Sequence, residues 1–112
     1  MIIIDVYKDK DGYITRYRSR GHASGAPAGE NVLCAWVSAV TQMALVGLEQ
    51  ELNYPVDYST DEDQGMLKVA LKSAPDAKSQ AVLGSMLRIL QQLAEQCPQD
   101  VRLNEHGGES NV

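Results

Sequence analysis

The chain has few cysteines, no surplus of positive charge, no long unbroken apolar run and no repeated segment. Each shortage closes off a class of function. Its 112 residues include only two cysteines, Cys34 and Cys97. Nothing points to secretion, so reduced thiols in the cytoplasm are expected rather than a disulfide between them. Ten lysines and arginines against fifteen aspartates and glutamates leave a formal charge of −5. That balance argues against a nucleic-acid binder working through bulk electrostatics, and no direct nucleic-acid partner is expected. It suits a basic peptide partner, although acidity also serves solubility alone. The longest apolar run, Val32 to Val40, is interrupted by Ser38 and falls short of a membrane span. The start, Met1-Ile2-Ile3-Ile4-Asp5-Val6, has no basic leader and meets a charge at once, so it does not read as a signal peptide. The set His22, Cys34, Cys97 and His106 lacks the ligand spacing of a zinc site, and Asp61-Glu62-Asp63 lacks that of a calcium loop. No metal and no cofactor are expected.

What is present fits one domain with a modest core. Residues 2–7 are rich in β-branched side chains and predict a strand. Asp11-Gly12 marks a turn, and residues 13–20 return as a second strand. Its alternation places Ile14, Arg16, Arg18 and Arg20 on one face, where the arginines meet either solvent or an anionic partner. Asn53-Tyr54-Pro55 ends a first helix. Residues 56–58 and 66–72 predict two further strands around an acidic turn, with Asp61, Glu62 and Asp63 at its tip. Asp76 caps a second, amphipathic helix over residues 77–96, with Leu83, Met86, Leu87, Leu90 and Leu93 on its apolar stripe. Cys97 reads as a small buried hydrophobe. Residues 101–104 predict a last edge strand. The expected fold is α+β, in the order β-β-α-β-β-α and then a short edge strand. It has a mainly antiparallel sheet of four to five strands and two helices, the first buried. Residues 1–105 form the single domain, and 106–112 a disordered tail.

The chain is organised around one stretch. Gly21-His22 leads into small residues, Ala23-Ser24-Gly25-Ala26-Pro27-Ala28-Gly29-Glu30, and then into the most apolar helix of the sequence, from Val32 to about residue 52. A loop with so few anchoring side chains should reshape around a ligand. Asn31 is a favoured N-cap, since its side-chain oxygen accepts a hydrogen bond from an orphan N–H of the first turn. With that cap, Cys34 falls in the first turn, where orphan N–H groups and the helix dipole favour negative charge. A thiol there ionises more readily to thiolate, the form that attacks electrophiles. His22, upstream beside a glycine, is placed to act as its base. Ser38 lies one turn after Cys34 on the same face. It would bond within the site or to its own helix carbonyl. The plainer alternative is a non-catalytic module that grips a peptide or a ribosomal segment, with Cys34 as a packing residue.

Gly21-His22-Ala23, the loop to Gly29, then Cys34-Ala35 and Ser38-Ala39 at the start of an apolar helix resemble the ribosomal-processing cysteine protease family, Prp (also described as YsxB-like). The resemblance covers nearly the whole chain. It implies a cytoplasmic bacterial endopeptidase, homodimeric, that removes a short N-terminal extension from a ribosomal large-subunit protein. It further implies that His22 and Cys34 form the catalytic dyad and that residues 23–30 move to admit substrate. Its substrates are cut after an aromatic residue, ahead of a basic stretch, which the acidic turn at Asp61, Glu62 and Asp63 would attract. The family usually has aspartate where Asn31 stands. Asparagine caps a helix equally well and can orient an imidazole, but it supplies no charge to stabilise an imidazolium. Retained activity with an altered pH profile or rate is therefore expected. The surplus apolar surface of the first helix is consistent with a dimer.

Overall fold

The computed structural model describes residues 1–21 and 28–107, with only the backbone described for 28–31. The elements are β1 (Ile2–Lys8), β2 (Ile14–Arg20), α1 (Ala28–Val46), β3 (Val56–Asp61), β4 (Met66–Leu71), α2 (Ala77–Gln96) and β5 (Val101–His106). The five strands make one sheet in the order β3-β4-β2-β1-β5. All neighbours are antiparallel except β1 and β5, so the sheet is mixed rather than antiparallel throughout. The reason lies in α2: its twenty residues carry the chain back along the sheet, and a strand entered after such a crossover runs parallel to the one before it. β5 also reaches His106, one residue past the expected edge of the domain.

Strand alternation gives the sheet two unlike faces. Ile2, Ile4, Val6, Tyr17, Leu67, Val69 and Val101 are buried on one face, in a single core with Val37, Ala44 and Leu48 of the first helical segment and Leu83, Met86, Leu87, Leu90 and Leu93 of α2. Ile14 joins that core instead of the arginine face. The pairing of β1 with β2 slips between Tyr7 and Lys8, skipping Thr15, and such a bulge reverses the alternation beyond it. Gln80 of α2 then clamps the strand start, accepting from the Ile14 N–H and donating to its carbonyl, both at 2.8 Å. At the head of α2, Asp76 caps the helix as expected, and Ser79 caps it in return.

The first helix starts earlier than expected and reaches its expected end in a different helical form. It begins at Ala28, three residues before Asn31, and beyond Val46 it continues as a π-helical turn, Gly47–Glu51. Asn53, in the left-handed region at φ 50°, follows its last turn. The stretch Val32–Glu51 is apolar and long enough, by itself, to cross a membrane, which the broken run Val32–Val40 did not reveal. Here one stripe of it, Val37, Thr41, Ala44 and Leu48, is buried against the rest of the domain. Val32, Trp36, Met43 and Val46 remain exposed on the far side. In a single chain the helix is thus half-covered, and the expected second cover is absent from the monomer.

The other sheet face is polar, and one carboxylate organises it. Asp5, only 4% exposed, accepts hydrogen bonds from Arg18 Nη2 at 2.9 Å and Asn104 Nδ2 at 3.2 Å, and pairs with His106 Nε2 at 3.0 Å. His106 was expected in a disordered tail. Its parallel pairing beside Tyr7, on which its ring stacks at 4.5 Å, holds it in the sheet instead. Burial pushes the Asp5 carboxyl up, but bonds to His106, Arg18 and Asn104 outweigh it and hold the pKa below its ordinary value. Folding therefore favours the ionised carboxylate. That contribution is complete above the unfolded value of about 3.9 and disappears as the pH falls through the lower folded value. Asp5→Asn is expected to cost about 2 kcal/mol at neutral pH and much less near pH 3, read as chemical-denaturation midpoints at the two pH values.

Candidate active site

Cys34 is partly buried on α1 and packs against the core. Its α1 neighbours one and two turns on, Ser38 and Gln42, and then Leu45, line the same groove of about 590 Å³. Ile2, Ser19 and Gly21 of the first two strands form its floor, and Thr60, Asp61, Glu62 and Met66 of the β3–β4 hairpin its opposite wall. The groove thus has apolar sides at Ile2, Leu45 and Met66, and two carboxylates at one rim. The hairpin turn is shorter than the sequence implied, because β3 runs on through Ser59 and Thr60 to Asp61.

Gly21 fixes where the chain leaves this groove. Its φ is +98°, a conformation that side chains with a Cβ rarely adopt. A Cβ there would lie 2.3 Å from the Met1 carbonyl oxygen. Its N–H donates to the Gln64 carbonyl at 3.1 Å, tying the end of β2 to the hairpin turn. The next residue in sequence, His22, lies outside the described residues, as do Ala23, Ser24 and Gly25.

Gly29, Glu30 and Asn31, expected as loop and cap, belong to the backbone of α1. Cys34 is consequently the seventh residue of the helix, not part of its first turn. Only the first four N–H groups of a helix are orphans, and the dipole effect fades within that turn. The expected activation of the thiol by its helix start is therefore not available at this position. Ala28 and Glu30 are good helix formers, and a proline immediately before them suits a helix beginning. Those preferences outvoted Asn31 as the boundary.

Of the two expected roles, the described bond of Ser38 is to a groove neighbour and not to a helix carbonyl. It is exposed, and its Oγ accepts from Gln42 Nε2 at 2.6 Å. The sequence reading overlooked Gln42 and Leu45, although the spacing 34, 38, 42, 45 is that of one helix face. Cys34 and Cys97 are both free thiols. Cys97 closes the end of α2, while His106 lies on the polar side of the sheet. Among the described residues no cluster that could hold a metal occurs.

A partly buried thiol in a groove with apolar sides and an acidic rim is equipped to take an extended peptide. Comparison with known proteins gives the class: a family model described as Cysteine protease Prp matches residues 1–102. The chain is a cysteine protease, and it belongs to the Prp family. A relative from Staphylococcus aureus, the ribosomal processing cysteine protease Prp, is 29% identical over 107 residues, covering 93% of this chain and 98% of the relative. A Streptococcus mutans crystal structure superposes with a TM-score of 0.87 at 26% identity, over 96% of this chain and 98% of the other. The S. aureus protease in complex with a substrate peptide gives 0.86 at 25% identity, over 94% and 99%. The same protease with a covalently linked product peptide gives 0.83 at 26% identity, over 94% and 99%.

Gly21→Ala combines a disallowed backbone angle with a collision against Met1. It is expected to lower the unfolding midpoint by several degrees and to remove activity with it, read by thermal unfolding beside a peptide-cleavage assay.

Proposed function

We propose that this protein is an endopeptidase that removes a short N-terminal extension from a ribosomal large-subunit protein in the cytoplasm, with Cys34 as nucleophile and His22 as its base. The observation that carries the reading is Cys34 in the peptide-sized groove, next to Gly21, in a Prp-family chain. Further support comes from relatives named as ribosomal processing proteases, with structures that hold substrate and product peptides. His22 takes the thiol proton, and the Cys34 sulfur bonds to the scissile carbonyl carbon. The C–N bond then breaks, His22 protonates the departing amine, and a thioester remains. Water hydrolyses the thioester, releasing the carboxylate and restoring the thiol. Without a first-turn position for Cys34, the imidazole alone must provide the activation. Asn31 stands where the family usually has aspartate and supplies no negative charge to an imidazolium, so an altered pH–rate profile is expected.

The groove matches the substrate that this reading requires. Ile2, Leu45 and Met66 offer an apolar wall to an aromatic side chain at the cut site. Asp61 and Glu62 offer charge to the basic residues that follow it. The chemistry needs no metal or cofactor. Incubation with a peptide bearing the organism's own ribosomal-protein extension, read by mass spectrometry, should show one cut after an aromatic residue. Cys34→Ala should leave the peptide intact, and a variant that still cleaved it would remove Cys34 from the mechanism. In the same assay, Asp61→Lys with Glu62→Lys should reduce kcat/KM about tenfold at low salt, with the deficit shrinking as salt rises.

The protein also reads as a homodimer. Val32, Trp36, Met43 and Val46 are exposed on α1 at steps of four, seven and three residues, the spacing of a helix-pairing seam. Light scattering on the eluting protein should give twice the chain mass, and Met43→Asp should return it to the monomer mass.

A further inference from the structure

Apart from Asp61 at its corner, the polar face of the sheet takes no part in the proposed cleavage, and its charge opposes that of the chain as a whole. Strand register places Arg16, Arg18 and Arg20 of β2, Lys68 of β4 and Arg102 of β5 on it. These are half of the ten lysines and arginines in the sequence. Among the described residues, three carboxylates share the face by strand register: Asp5, Asp57 and, at one corner, Asp61. Asp5 is already taken up by Arg18. Arg20, Lys68 and Arg102 are exposed and have no ion pair among the described residues.

Flat groups lie beside these cations. The Arg16 guanidinium sits 4.0 Å over the Tyr7 ring, and the His106 imidazole stacks on that ring within 12° of parallel. A depression of about 400 Å³ runs from Tyr7 and Arg16 past Lys68 to Asp57. Rings and guanidinium planes on an open sheet flanked by cations are the equipment with which proteins bind unpaired nucleotides.

We propose that this face binds single-stranded RNA, with phosphates against Arg20, Lys68 and Arg102 and a base stacked on the Arg16–Tyr7–His106 pile. An acidic peptide would satisfy the cations but leave the flat groups unused, whereas RNA engages both. The net charge of −5, which spoke against a nucleic-acid partner, averages over an acidic remainder and hides this patch. The biological sense of the contact rests on the ribosomal reading above: a large-subunit protein assembles on RNA, and a weak RNA contact would hold the protease where its substrate is handed over. Three phosphate contacts correspond to a slope of about −2 in log affinity against log salt.

The test is fluorescence anisotropy with a labelled single-stranded RNA of about 20 nucleotides, at roughly 50 and 200 mM salt. A polyglutamate peptide of similar charge serves as competitor. Wild-type protein should bind with the slope given above. Lys68→Glu with Arg102→Glu should lose tenfold or more in affinity and flatten the slope. The milder Lys68→Gln with Arg102→Gln should fall between, at an unchanged unfolding midpoint. Tyr7→Leu should weaken binding while leaving the slope as it was. Equal RNA affinity for wild-type and charge-reversed protein overturns the proposal, and so does polyglutamate binding more tightly than RNA, which would assign the face to an acidic protein. Cleavage of the short peptide, measured on the same preparations, should be unchanged by the charge reversal. Absence of cleavage by the wild type would count against the protease reading alone.

Discussion

One buried hydroxyl anchors the helix that carries Cys34 to the sheet. Tyr17 of β2 is 1% exposed, and its OH donates to the Thr41 carbonyl of α1 at 2.7 Å. Burial pushes the Tyr17 pKa upward, so the group remains a donor at any physiological pH. The accepting carbonyl is free to take this second bond because a carbonyl oxygen has two lone pairs. Thr41 turns its own hydroxyl back to the Val37 carbonyl at 2.9 Å, so neither polar group is left unsatisfied in the core. Two turns of helix separate that anchor from Cys34, and Ser19, two residues beyond Tyr17, lies in the groove below it. The helix can therefore neither slide nor roll without breaking a desolvated hydrogen bond, and Cys34 stays over the end of β2. The same strand then ends at Gly21, which its contact with Met1 and its bond to Gln64 hold in place. Cys34 and Gly21 are thus referred to one strand.

That strand also separates two kinds of surface. Toward the helices it contributes Ile14, Tyr17 and Ser19 to the buried side, and away from them Arg16 and Arg18. A sheet with helices on one face only leaves the other in water, where an ionised Asp5 is tolerable because three partners share its charge. The proposed cleavage uses the groove beside α1, which meets the open face at Asp61.

Membership of the Prp family gives the chain its reaction class, but the helix start changes where the chemistry must come from. A cysteine in the first turn borrows acidity from the helix; a cysteine in the second turn does not. On the proposed mechanism, more weight then falls on the base, His22.

Local signals made much of the fold legible. β-branched runs gave β1 and β2, the Asp76 cap and apolar stripe gave α2, and Gly21-His22 with Cys34 gave the family and the candidate nucleophile. These features depend on neighbours in the chain, which a sequence displays directly. The bulge that turns Ile14 inward, the parallel seating of β5 and the recruitment of His106 were decided elsewhere. Each depends on a partner many residues away: Gln80 for Ile14, the α2 crossover for β5, Asp5 and Tyr7 for His106. Charge behaved in the same way, since the sum of −5 is a property of composition, whereas a basic face exists only once the four strands β4-β2-β1-β5 are laid side by side. Sequence determined which groups are available and how each segment prefers to fold; the tertiary structure alone decided which groups meet, because contact between distant residues is set by packing and not by order along the chain.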